Sequence, residues 1–364
     1  LTADKFGFYQ VGDLKTFSKM EAFELQKRTG KSLHWNFNDE IFSSVNWKKE
    51  PTLDLWSMYK TRAQQIRNQY DYVVIFYSGG SDSNNILKAW IDANCKIDEI
   101  ATMWNYEASA DKLNYMNAET TVVVFPDIKL LHDKGFEFKY RLIDISQFSL
   151  DLFNVFGLNF EHYTSRYFSP NNCVRGIFRD KIDDYKNLIA AGKKLAFVWG
   201  AEKPLVSYDG KYYTKFMDIF GNCVSSYVQE KYNQGWYDEL FYWSPDAPLI
   251  PIKQAHVIKN FVQLCNDERY YQDKHSEYGF NKTLNKYLTE DAVKTIIYPK
   301  WNKDTFSNGK GGLQFLFSPR DQWIWDSNLE LKNRYNEIIK YVVTNAPIKN
   351  KNIIPHSSPK YYLE

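Results

Sequence analysis

Six consecutive residues, Ser78-Gly79-Gly80-Ser81-Asp82-Ser83, combine hydroxyls, a bare backbone and a carboxylate in the pattern of an anion site. The apolar run before them, Val73 to Tyr77, suits a buried parallel strand with no solvent-facing side. The spacing from Ser83 to Trp90 then suits a helix. Where a strand, a Gly- and Ser-rich turn and a helix start meet, free backbone N–H groups converge with the positive end of the helix dipole, and serine hydroxyls add donors. Gly79 and Gly80 would let a phosphate approach the backbone with no Cβ in the way. Asp82 by itself suits a helix cap.

The hexad resembles the SGGxDS signature of the PP-loop ATP pyrophosphatases, the adenine-nucleotide alpha-hydrolase group. That group includes asparagine synthetase, GMP synthetase, argininosuccinate synthetase, tRNA-thiolating enzymes, the preQ0-forming ligase and PAPS reductase. The resemblance implies an α/β fold with a doubly wound, mostly parallel, Rossmann-like sheet, and ATP and Mg2+ as cofactors. It implies that Ser78, Gly79, Gly80, Ser81 and Ser83 hold the β- and γ-phosphates and that Asp82 lies by the pyrophosphate and its Mg2+. It covers about residues 52 to 205 and is nearest in architecture to the asparagine synthetase and preQ0 ligase branches. Neither G-x-x-x-x-G-K-[ST] nor G-x-G-x-x-G occurs, so a Walker-type NTPase and a dinucleotide-binding Rossmann domain are not supported.

Ligands of open α/β sheets sit beyond the carboxyl ends of the strands, which makes two further strand ends candidates. Thr102-Met103-Trp104-Asn105 closes a second strand. By the resemblance, its main chain would read the adenine edge with Met103 or Trp104 over the ring; the two side chains suit the core equally well. Trp199-Gly200-Ala201-Glu202-Lys203-Pro204 closes a later strand and resembles the family motif in which a strand-end glycine, here Gly200, precedes polar groups facing the phosphates. Lys203 would offset charge on the α-phosphate or pyrophosphate and Glu202 would bind Mg2+, although the same residues fit a surface salt-bridge loop. Arg166, Arg175 and Arg179 read either as surface residues or as a bidentate clamp on phosphate or carboxylate, Arg175 joining Asp82 and Lys203 in the catalytic set. Asn308-Gly309-Lys310-Gly311-Gly312 would close over the nucleotide or serve as a plain connection. The six histidines show no H-x-x-x-H or H-E-x-x-H spacing, and the four cysteines no C-x-x-C, so a histidine or cysteine metal site is not supported.

The elements that must position these residues follow the alternation of a doubly wound sheet. A helix over Thr52 to Tyr70 feeds the first strand, and Ile97 to Trp104 and Phe136 to Ile145 are the next two. Lys112 to Lys134 is largely helical, with Pro126 expected to kink or divide it, and Lys181 to Ala191 is a further helix before the strand Leu195 to Trp199. A hairpin turns at Tyr208-Asp209-Gly210-Lys211. Residues 1–50 read as a small α+β addition: a hairpin over Phe8 to Phe17, a helix capped at Ser18 and ending near Gly30, and a strand at Leu33 to Phe37. Residues 51–245 form the nucleotide domain, and residues 246–364 a helical extension with a long helix from Arg320 to Val343 and an irregular tail from Asn345. Of the 364 residues 44% are hydrophobic, ample for a core, and a net charge of +2 gives no electrostatic footprint for nucleic acid. The excess of Asn, Lys and Tyr resembles proteins of AT-rich genomes, large tailed phages among them. Isolated cysteines fit a reducing cytoplasm, the host's if the gene is viral, and no apolar run reaches the roughly 18 residues of a membrane span.

The resemblance implies adenylation: a substrate oxygen attacks the α-phosphorus of ATP, PPi leaves, and AMP then leaves as ammonia or an amine adds. The acceptor would be a small molecule, a nucleobase or a tRNA, with no membrane partner; a homo-oligomer is left open. The chain departs from the family in showing neither a glutaminase headed by Cys nor a preQ0-type cysteine zinc cluster. The nitrogen would then come from free ammonia, an amine or a partner's product. Two alternatives stand beside this reading. One is sulfur transfer of the PAPS reductase or tRNA thiolase type, with Cys173 or Cys223 as thiolate; the other is nucleotide binding without turnover.

Overall fold

The computed structural model describes residues 3–107, 118–146, 148, 178–200, 203–218, 234–264, 290–301, 323, 326–345, 348–349, 352–353 and 356–364. The hairpin expected near the start forms, with β1 (Phe8–Val11) antiparallel to β2 (Leu14–Thr16). The next helix, α1 (Lys19–Thr29), starts where the Ser18 hydroxyl accepts the Glu21 N–H at 3.2 Å and stops at Gly30, whose φ of 67° is the left-handed helix stop. β3 (Leu33–Asn36) returns along the other side of β1, and α2 (Asp39–Ser44) follows. α3 (Leu55–Gln69), capped by Asp54, buries Leu55, Met58, Ala63 and Ile66 and leads into the main sheet.

That sheet alternates with helices as the sequence predicts: β4 (Tyr72–Phe76), α4 (Ser81–Asp92), β5 (Glu99–Trp104), α5 (Phe125–Asp133), β6 (Lys139–Asp144), α6 (Asp183–Ala190) and β7 (Leu195–Trp199). A small sheet follows from β8 (Leu205–Tyr208) and β9 (Tyr212–Lys215), joined at the expected hairpin, and then β10 (Trp236–Leu240) returns to the main sheet. Five parallel strands lie in the order β10-β7-β4-β5-β6. From β4 the chain builds outward to β5 and β6, then returns to the other side of β4 for β7 and β10. The point where the order reverses lies between β4 and β7, and the crevice at their carboxyl ends is where such sheets take ligands. Every residue of β7 and all but Tyr72 of β4 are buried, as a strand covered on both faces requires.

Pro126 divides its helix, as the sequence predicts. The chain winds through a wider π turn at Thr120–Val124, and Pro126 falls at the start of α5, where its missing N–H costs little. The C-terminal region supplies α7 (Leu249–Leu264), α8 (Glu290–Ile297) and α9 (Leu329–Asn345). The tail is more ordered than its polar, proline-bearing sequence suggested. β11 (Ile348–Lys349) pairs with β12 (Asn352–Ile353), and β13 (Tyr361–Tyr362) adds to the edge of β9. Tyr361 stacks on Trp47 with centroids 4.7 Å apart, and Leu363 is fully buried.

The strand β10 was not foreseen, and its chemistry explains why. Its Asp238 and Glu239 read as surface residues, yet both are fully buried. Asp238 is met by Arg179 at 2.6 Å and by the Trp199 indole N–H at 2.5 Å. Glu239 accepts from Lys5 at 2.9 Å, from Arg62 at 2.7 Å and from Tyr70. The N-terminal unit is tied to the rest in the same way, through Lys5 and through Tyr9 and Lys19, each 2.6 Å from Asp218. One hydrophobic core runs from Phe6 to Leu363. Among the described residues, no helix is long and apolar enough to cross a membrane.

Candidate functional site

The hexad sits at the reversal point of the sheet. Beyond β4 the Tyr77 N–H closes the ladder on the Ala101 carbonyl at 2.9 Å, and the chain turns outward through Ser78. Ser83, one helical turn on, holds the loop: its hydroxyl donates to the Gly80 carbonyl at 3.1 Å and accepts the Ser78 N–H at 3.2 Å. The Ser78 hydroxyl, on an exposed residue, lies 3.3 Å from that of Ser83. Gly80 is the N-cap of α4 and gives it no side-chain cap, which leaves first-turn N–H groups at the loop's mouth.

The two glycines differ in what they do. Gly79 has φ of 78°, and a Cβ there would lie 3.1 Å from Val123 and Val124 and 3.2 Å from the Glu119 carbonyl. The fold itself demands glycine at this position, because the π turn before α5 packs against it. Gly80 has φ of −74° and ψ of 164°, which any residue adopts. Among the described residues, a Cβ on Gly80 would meet only the Ser78 hydroxyl at 3.4 Å and the Glu119 carboxylate at 3.9 Å. Nothing among them needs glycine there; a ligand against the loop would.

Asp82 and Lys203, two of the three residues assigned to catalysis, come together as an ion pair at 2.7 Å, with 27% and 15% of their side chains exposed. Tyr298 also donates to Asp82, and to the same oxygen, Oδ1. Burial works to raise the Asp82 carboxyl, but Lys203, Tyr298 and the nearby charge of Lys294 outweigh it and hold the group below the usual carboxylate range. Behind the loop, the Tyr242 hydroxyl donates to the Asp82 carbonyl at 2.8 Å and accepts from Asn85 at 2.9 Å. Burial, then the neighbouring Asp82 charge, holds the Tyr298 phenol well above its ordinary pKa, so it stays a donor.

Gly200 closes the crevice from β7. A Cβ there would lie 3.2 Å from the Asp82 carbonyl carbon and the Ser83 nitrogen and 3.1 Å from Ile86, so β7 and the start of α4 touch only because residue 200 is glycine. On the other side β5 runs past its partner, since the β4 register ends at Phe76 opposite Ala101. Met103 packs against the core, and Trp104 is half-buried, stacked on Tyr106 at 4.7 Å and edge-on to Phe125 at 6.0 Å. The Trp104 carbonyl accepts the Ile145 N–H at 2.9 Å, which occupies one of its two lone pairs.

Arg175 and Glu202 lie outside the described residues, as do Arg166, Cys173, Cys223 and the 308–312 loop. Arg179 is described and is not a phosphate clamp: it is buried, committed to Asp238, and lies over the Phe197 ring at 4.7 Å. Tyr298, Tyr242 and Glu119 went unread in the sequence. Tyr298 meets Asp82 across 216 positions, and no local pattern marks either tyrosine among 27. The residues present fit a Mg2+–phosphate group: Asp82 has one oxygen open beside a loop whose Gly80 leaves the space a phosphate would take. No group of three metal-ligating side chains occurs among the described residues. No protein-family model matches the chain, and no curated protein matches it.

Proposed function

We propose that the protein is an ATP pyrophosphatase of the PP-loop type that adenylates a substrate oxygen, releasing PPi, and then AMP as ammonia or an amine adds. The observation that carries this reading is Gly80: a glycine that the backbone does not require, at the open start of a helix, at the reversal point of a parallel sheet. The hexad around it has the family's residues in the family's order.

In this reading the first-turn N–H groups of α4 and the hydroxyls of Ser78 and Ser81 bind the β- and γ-phosphates, while Ser83 holds the loop in shape. Bound Mg2+ would spread the charge that builds on the departing PPi, with Asp82 as its ligand and Glu202 as a second. Lys203, now on Asp82, has the flexible stem to swing to the bridging oxygen between the α- and β-phosphorus. Arg175 would act on the same phosphates. Met103 and Trp104 would flank the adenine, the half-buried Trp104 ring offering the larger face. The substrate oxygen bonds to the α-phosphorus as the bond to PPi breaks; the amine then adds and AMP leaves. No protein nucleophile takes part, and the protein's work is orientation and charge stabilisation.

The test is analysis of nucleotide products from purified protein with ATP and Mg2+, beside Asp82→Ala, across pools of amino acids, nucleobases and tRNA. AMP and PPi from the wild type alone support the reading, and the stimulating pool names the acceptor class. ADP and phosphate would overturn it. Tight ATP binding without turnover under every pool would make the protein a nucleotide binder, and loss of AMP formation in Cys173→Ser would move it to sulfur transfer.

A further inference from the structure

We propose that Tyr298 is a positioning residue for Asp82: it shares one carboxylate oxygen with Lys203 so that the other is presented to the phosphate loop and its metal. This assignment rests on reading the hexad as the site of an ATP–metal complex. Both donors reach Oδ1, whereas Oδ2 accepts from no described residue and stays open to solvent. A carboxylate held by one oxygen is fixed in direction and keeps a lone pair for a cation.

The phenol is itself held from several sides. The Tyr59 hydroxyl of α3 donates to the Ile297 carbonyl at 2.7 Å and accepts from Gln254 of α7 at 2.9 Å, which fixes the backbone just before Tyr298. The Tyr298 N–H donates to the Lys294 carbonyl at 2.9 Å. Its ring, fully buried, lies 5.4 Å from Tyr242 and 6.4 Å from Tyr59. Tyr242 in turn holds the Asp82 main chain. The Asp82 backbone and carboxylate are therefore gripped by one packed tyrosine cluster, built from elements far apart in sequence.

The division of labour follows from chain stiffness. Lys203 is a point charge on a flexible stem and would be drawn to the phosphates when nucleotide binds. Tyr298 is neutral and locked by packing, so it remains on Oδ1 after Lys203 has moved. Its contribution would then appear in the metal–nucleotide complex rather than in the free protein.

The experiment compares wild type with Tyr298→Phe, which keeps the ring packing and leaves Lys203 on Asp82. Binding of Mn2+ with an α,β-methylene ATP analogue is read by electron paramagnetic resonance, and binding of the analogue alone is measured in EDTA. Loss of a hydrogen bond to a charged group predicts Mn2+ affinity lower by about tenfold to a hundredfold, with metal-free binding unchanged. Turnover should show the same split, kcat falling and KM for ATP holding. A variant matching wild type in Mn2+ affinity and kcat, or one losing metal-free and metal-bound affinity alike, overturns the assignment alone. Wild type that binds no metal–nucleotide overturns the nucleotide reading and this assignment with it. Placing 3-fluorotyrosine at 298 restores a phenol of the same shape; it should return Mn2+ affinity to the wild-type range, and failure to do so counts against the hydrogen bond.

Discussion

Adding a single methyl group at each glycine of the loop separates a residue kept for the fold from one kept for a ligand. At Gly79 alanine must hold φ near 78°, which costs about 1–2 kcal/mol. Its Cβ would also press on Val123, Val124 and the Glu119 carbonyl at 3.1–3.2 Å, and such overpacking adds about 1–3 kcal/mol because a backbone atom cannot step aside. Gly79→Ala should lose both stability and nucleotide binding. At Gly80 the backbone already suits alanine, and the nearest atom is the Ser78 hydroxyl at 3.4 Å, an ordinary contact. Restricting the unfolded chain there should leave stability unchanged or raise it by about 0.4–1 kcal/mol. The same methyl would stand between an incoming phosphate and the first turn of α4. Losing one charge-assisted hydrogen bond, about 1.5–3 kcal/mol, lowers ATP affinity by about tenfold to a hundredfold. Urea denaturation and calorimetric titration with ATP and Mg2+ read the two quantities separately. A Gly80→Ala protein that is stable and binds ATP as tightly as wild type would refute the reasoning, because the glycine would then serve neither fold nor ligand.

Three further outcomes are expected. Gly200→Ala places a Cβ against the backbone of Asp82 and Ser83, so it should destabilise by about 1–3 kcal/mol and weaken ATP binding together, read by the same two assays. Arg179→Ala strands the buried Asp238 and should cost about 3–5 kcal/mol in urea denaturation, whereas an arginine serving phosphate would leave stability intact and cut binding instead. His356 is largely buried near Lys19, and burial with that charge lowers its pKa from 6.5 to about 4. The unfolded chain therefore binds a proton between those values that the folded one refuses. The stability tied to His356 is fully present above pH 6.5 and is lost as pH falls toward about 4, by about 3 kcal/mol in total. His356→Gln should flatten that part of the acid denaturation profile, and an unchanged profile would show that the ring is accessible to protons in the fold.

The parts of this molecule legible in the sequence are those whose physics is local. Ser18 and Gly30 bound α1 because a cap and a helix stop are satisfied within a few residues, and the run from Val73 to Ser83 shows its strand, turn and helix start by composition alone. What stayed hidden depends on partners distant in the chain. Asp238 and Glu239 look like surface charges until Arg179, Lys5 and Arg62 arrive to pair with them, so β10 could not be read as a buried strand. The docked tail is hidden in the same way, because Tyr361 finds Trp47 across the whole length of the chain. The candidate site divides along the same line. Its backbone cradle is written in consecutive residues, whereas the side chains that set Asp82, Lys203 from the segment after β7 and Tyr298 just past α8, converge only through the fold. A loop that binds phosphate needs only its own amides and can be short and contiguous. Aiming a carboxylate needs rigid donors fixed by packing from several directions, and packing of that kind can come only from elements that meet in the fold.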